Sequence, residues 1–156
     1  MLWYMVDNVI NIMLSWRRPP AIILIQCGGN DLCKTKNGKL LFSIKSSLAA
    51  IQRRLPDTTI IWSYILPRRN WLGAIHNESV NRSRKRLNRG VRSFLQRNGG
   101  KAINHVDLED LHPALLRDDG TQLSYLGNDI FINALQSGLG LFIKYPYHTL
   151  YPDGLY

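Results

Sequence analysis

Two glycine-bearing stretches hold side chains suited to group transfer. The first is GGND, Gly28 to Asp31. Gly28 and Gly29 permit a tight turn with close backbone approach. Asn30 supplies an amide that can donate to a developing oxyanion, as such side chains do in acyl transfer. Asp31 can cap the turn or the next helix. A plain glycine turn with an Asx cap accounts for the same four residues. The second stretch is DDGTQLSYLGND, Asp118 to Asp129. Asp118 or Asp119 can orient a base, and Gly120 allows a bend. Thr121 or Ser124 can cap a helix that runs on through IFINAL. The competing reading is simply a capped helix start, where the helix dipole favours acids. Gln122 stands where a base would be useful, but an amide cannot accept and return a proton.

These loops need elements to hold them. Trp3, Val6, Val9/Ile10 and Met13/Leu14 repeat at helical spacing and predict a helix over 3–14, ended by RRPP at 17–20. AIILIQ at 21–26 is a continuous apolar run of the kind found in buried parallel strands. Residues 39–54 place Leu41, Ile44, Leu48 and Ile51 on one helix face, and TIIWSYIL at 59–66 predicts a second strand. A long helix follows over 75–97, with Val80, Leu87, Val91 and Phe94 inward. The third strand is KAINHVDL at 101–108, and the last helix runs from Tyr125 to Gly138. Strands alternating with helices imply a parallel sheet with right-handed crossovers. Ligands of such sheets sit beyond the carboxyl ends of the strands, where both glycine stretches fall. The expectation is a three-layer α/β/α sheet of flavodoxin-like character, incomplete at about three strands. Residues 140–156, rich in tyrosine and proline, read as an irregular surface tail.

The 156 residues suit one domain, and 45% hydrophobic with 20% charged residues is an ordinary globular balance. Twenty Lys or Arg against eleven Asp or Glu give a net charge of +9, a surplus that favours acidic partners. It is concentrated: Arg82 to Arg97 holds seven Lys or Arg and no acid. Arg84, Lys85, Arg86 and Arg89 there could form a phosphate-binding face for nucleic acid, with affinity falling steeply in salt. A solvated outer helix face is the plainer reading. Cys27 and Cys33 read as reduced thiols, and no metal-ligand spacing occurs. No segment reads as a secretory leader or a membrane span. The expectation is a soluble, intracellular chain without a membrane partner, in which the sequons at Asn77 and Asn81 carry no meaning.

Taken together, the two glycine stretches resemble blocks of the SGNH hydrolase superfamily, the GDSL-like esterases. GGND at 28–31 is similar to the family's G-x-N-D block. DGTQLSYLG at 119–127 is similar to its D-x-x-H block in the form D-G-x-H-L-S-x-x-G. TIIWSYILPRR at 59–69 and RSRKRLNRGVRSFLQRNGG at 82–100 resemble the intervening strand and long helix of vertebrate, transposon-associated members. The resemblance spans nearly all of residues 1–139. It implies an ancestral ester substrate, hydrolysed through an acyl-enzyme with neither metal nor organic cofactor. In the family a G-D-S serine is the nucleophile, a glycine and the block asparagine bind the oxyanion, and an aspartate and a histidine complete the machinery. By resemblance Asn30 is the oxyanion donor, Asp119 the acid, and Gln122 fills the histidine position.

The departures matter more. No G-D-S occurs, and the chain begins after the place where that block would stand. A serine hydroxyl needs a neighbouring base to become a nucleophile. His105, at a strand end, and His112, in a loop, are the available imidazoles, and each has an ordinary structural reading. Ser15, Ser43, Ser46 and Ser47 lie on predicted helices or their ends and receive no catalytic role. The expectation is an SGNH-type domain over 1–139, lacking its N-terminal part and inactive.

Overall fold

Four short strands pair in parallel, side by side, in the order in which they occur in the chain. The computed structural model describes residues 3 and 6–152. The strands are β1 (Ile22–Ile25), β2 (Thr59–Ser63), β3 (Lys101–Ile103) and β4 (Leu150–Tyr151). Register places Ile23 beside Ile60, Ile61 beside Lys101, and Ala102 beside Leu150. The helices are α1 (Val6–Leu14), α2 (Asn37–Arg54), α3 (Asn77–Arg97) and α4 (Tyr125–Lys144). Residues 4 and 5 of the helix expected over 3–14 lie outside the described residues.

Alternation along β2 sorts the layers, since successive strand side chains face opposite sides. Ile60 and Trp62 join a core built with α1, α2 and α3, while Ile61 joins Ile103 and Phe142 under α4. This is the three-layer α/β/α arrangement that the alternating pattern implied. In α2 the inward row is Leu40, Ile44, Leu48 and Ile51. In α3 it is Arg84, Leu87, Asn88, Val91 and Leu95, with Val80 and Phe94 only partly covered.

The expectation of about three strands, and of an irregular segment over 140–156, is corrected for residues 140–152; residues 153–156 lie outside the described residues. α4 continues to Lys144, and β4 adds a fourth strand. A two-residue strand leaves no periodic signal. It is held instead by backbone bonds from Ala102 N to Thr149 O and from Asn104 N to Tyr151 O (2.9 and 2.7 Å). The Lys101 ammonium also donates to the Pro146 and His148 carbonyls. Gly138, expected to stop the last helix, lies inside it. A Cβ there would come within 2.8 Å of Ile103 Cδ1, so this glycine permits close helix–sheet contact.

The apolar runs at 59–66 and 101–108 extend beyond their ladders. Past Ser63, α3 takes over the backbone. Asn88 accepts from the Ile65 amide (2.9 Å) and the Trp62 indole (3.1 Å), and donates to the Ile65 carbonyl (3.0 Å). Removing a fully buried group with three such bonds strands each partner. Asn88→Ala is therefore expected to lower unfolding free energy by about 3 kcal/mol. The exposed Gln136→Ala should stay within about 0.5 kcal/mol of the parent. Urea midpoints compare the two.

Candidate functional site

The first glycine turn starts with Gly28 at φ 96°, a left-handed value that disfavours any side chain, and passes into a 3₁₀ turn over Gly29–Asp31. Asp31 does not cap the following helix. Its carboxylate accepts from the Trp3 amide (3.0 Å), joining the loop to the chain start. Asn30 is exposed, and its Oδ1 accepts from Arg68 Nη2 (3.1 Å). That bond leaves the amide nitrogen as a donor. Arg68 lies over the Trp71 ring, 4.7 Å from its centroid.

Gly120, at φ 66°, makes the second bend. Its carbonyl accepts from the Arg69 and Asn70 amides (2.9 and 3.1 Å), which clamps this loop to the segment after β2. Asp119 is exposed, and Oδ1 accepts from the backbone of Thr121 (2.8 Å) and Gln122 (3.0 Å). Those bonds, that from Gln122 foremost, hold its carboxyl below the usual range. Gln122 Oε1 accepts from Arg117 Nη1 (2.7 Å). Ser124, rather than Thr121, caps α4: its Oγ accepts from the Gly127 amide and donates to the Ala114 carbonyl. Asp118 is exposed.

The two loops meet across a cleft of about 410 Å³ lined by Gly29, Asn30, Arg68, Gln122, Leu123 and Asn128, among others. Asn30 and Gln122 thus share one cavity. Gly28, Asp31, Asp119 and Gly120 shape the loops without lining it. No serine or histidine lines the cleft. Cys27 does, but burial pushes its thiol up to about 12, so the thiolate nucleophile is not available near neutrality. Among the described residues, no group of three His, Cys, Asp or Glu could hold a metal. No helix there is long and apolar enough to cross a membrane.

A serine–histidine pair does exist elsewhere. Ser63 Oγ lies 2.7 Å from His105 Nε2, both side chains are buried, and Phe131 packs against the imidazole at 4.7 Å between centroids. Neither residue lines the cleft. His105 Nδ1 has no hydrogen-bond partner to orient the ring. Sequence reasoning placed His105 at a strand end and overlooked Ser63, because the pair depends on the β2–β3 register, which sets Ser63 beside Ile103. His112 is exposed, and its Nδ1 accepts from the Ala114 amide, capping a short 3₁₀ turn.

The basic face needs one correction. Arg84 is 1% exposed and grips both oxygens of Glu109 (2.8 and 2.7 Å) while donating to the Ile65 carbonyl. Its position in the inward row of α3 removes it from any nucleic-acid face. Lys85 stands 3.5 Å from the same carboxylate. Arg86 and Arg89 are exposed. Burial alone would raise Glu109, but the hydrogen bonds and charge of Arg84, then Lys85, outweigh it and keep its carboxyl below the usual range.

No protein-family model and no curated protein matches the sequence. The fold is similar to the crystal structure of a Bacteroides fragilis protein provisionally described as an acylhydrolase, with a TM-score of 0.61 and 17% identity. The match covers 78% of this chain and 62% of that one. This chain therefore corresponds to less than two thirds of the length of that protein. At this identity the likeness shows a shared α/β/α fold.

Burial pushes the His105 imidazole down to about 4, with Glu109 pulling the other way. An unfolded histidine titrates near 6.5, so the native state binds fewer protons between about 4 and 6.5. Stability is then fully present above that window and falls as pH drops through it. From pH 6.5 to 5 the loss should be about 1.5 kcal/mol, before depressed carboxylates such as Glu109 begin to contribute. His105→Gln should flatten this slope in urea titrations. An unchanged slope would assign it to other groups.

Proposed function

We propose that this chain is an SGNH hydrolase-type domain that retains part of an acyl-transfer site and has lost ester turnover. The observation that carries the reading is the meeting of Asn30 and Gln122 across one cleft, in loops that resemble the family's third and last blocks. In a working relative, a hydroxyl attacks the ester carbonyl as a base takes its proton, and an amide donor stabilises the resulting oxyanion. Here Asn30 keeps the donor, since Arg68 occupies only its oxygen. Gln122 fills the base position with a group that cannot titrate. Asp119 Oδ1 accepts from two backbone amides of its own loop, and the one hydroxyl among the described residues lining the cleft, that of Thr121, donates to the Asn70 carbonyl.

Loss of triad members removes many orders of magnitude of rate. Hydrolysis of p-nitrophenyl acetate by the purified chain should therefore not exceed that of Asn30→Ala. Gln122→His alone should not raise it, because a restored base has no serine to activate. Turnover that disappears in Asn30→Ala would overturn the proposal.

A second reading rests on Arg82, Lys85, Arg86, Arg89 and Arg97, which stand exposed along α3. Such a face makes non-specific contacts with nucleic-acid phosphates. Binding to generic duplex DNA should then weaken steeply with salt, and further in Lys85→Ala with Arg86→Ala. No affinity at low salt removes this reading.

A further inference from the structure

A second cavity, of about 330 Å³, opens beside α3 where Tyr64 and Asn104 leave the carboxyl ends of β2 and β3. We propose that it binds a phosphate-type oxyanion carried by a small organic molecule. The inference is independent of the hydrolase reading and uses different residues.

Charge is the first argument. Arg84, Lys85, Arg89 and Arg92 line the cavity, and Glu109 is the only acid among its walls. Glu109 is committed, held through both oxygens by Arg84 and approached by Lys85. Among the described residues, Arg89 and Arg92 pair with no carboxylate. Lys85, Arg89 and Arg92 follow one another at spacings of four and three, so they share one helix face. Two unpaired guanidinium groups beside a neutralised acid favour a dianion over a carboxylate.

Unmet hydrogen-bonding capacity is the second. Tyr64 is 7% exposed, and its hydroxyl makes no hydrogen bond of good geometry, although Arg92 lies close enough to act on it. Arg92 Nε is also buried without a partner. Buried donors are normally satisfied, and a tetrahedral oxyanion presents several acceptors to donors converging from different directions. Burial raises the phenol above its ordinary value, with Arg92 and Arg89 opposing, so Tyr64 is a donor at neutral pH.

Shape is the third. The cavity lies beyond the ends of adjacent parallel strands, where open α/β sheets bind ligands. Val106, Leu150 and Pro152 complete its lining and offer apolar contact to the organic part of a ligand, within a volume at the small end of such sites.

The test titrates inorganic phosphate, then phenyl phosphate, into the intact chain at constant ionic strength, reading the melting temperature and arginine Nε NMR shifts. Saturable binding is expected, with phenyl phosphate the tighter ligand. Arg89→Gln and Arg92→Gln should each weaken it about tenfold, Tyr64→Phe should weaken it less, and Arg86→Gln, outside the cavity, should leave it unchanged. Arg89 is exposed, so its variant keeps the test valid should Arg92→Gln fail to fold. Non-saturating shifts, or a loss in Arg86→Gln equal to that in Arg89→Gln, would overturn the proposal. The latter outcome would mark a diffuse phosphate-backbone face instead. Equal affinity for the two ligands would refute the apolar half of the site.

Discussion

The carbonyl of Ile65 is the point on which the rest of the molecule hangs. β2 ends at Ser63, and a chain leaving a buried sheet must find new partners for its backbone. Asn88 and Arg84, both from α3, converge on that one oxygen, and Asn88 also takes the Ile65 amide. Two polar residues thus stand in for a sheet neighbour in the middle of an apolar row. They set the rotation of α3 about its own axis. Through that rotation they decide which of its cations face solvent, which face the cavity beside Tyr64, and which is spent on Glu109.

The same exit from β2 positions the candidate site. Beyond Ile65 the chain runs to Arg68, which reaches Asn30, and to Arg69 and Asn70, whose amides hold the Gly120 carbonyl. Both glycine loops are therefore registered against one segment rather than against each other. Many of the polar groups around the cleft answer a structural demand. Asp31 anchors Trp3, Asp119 closes its own turn, and Gln122 meets Arg117. Catalysis by a carboxylate or a base requires a group left for the reaction, whereas one oxygen of each carboxylate and the Gln122 side-chain carbonyl are already engaged in holding the loops.

The alternation of strand and helix was legible because apolar runs and helical stripes are local. What escaped depended on contacts between distant residues. Arg84 read as a solvent-facing cation, although it falls on the row of Leu87, Val91 and Leu95; only Glu109, 25 residues on, makes burial tolerable. β4 was invisible because two residues have no period, and its place is set by β3 and Lys101. Ser63 and His105 meet through strand register, which spacing along the chain does not encode. The two glycine loops were recognisable by residue type, since left-handed turns at Gly28 and Gly120 narrow the choice of amino acid. Whether Asn30 and Gln122 shared a cavity was not readable until both loops were pinned to one segment.

Among the described residues β1 stands at the margin of the sheet, with β2 as its one ladder partner. Its isoleucine-rich backbone therefore keeps one row of amides and carbonyls unladdered, next to an apolar hollow formed with α1. Such a margin is adhesive towards any extended peptide. For anyone preparing this polypeptide, colloidal behaviour at high concentration becomes as much a concern as folding, and a lysine introduced at the exposed Ala21, rather than at Ile22 or Leu24 that pack under α4, is the natural safeguard.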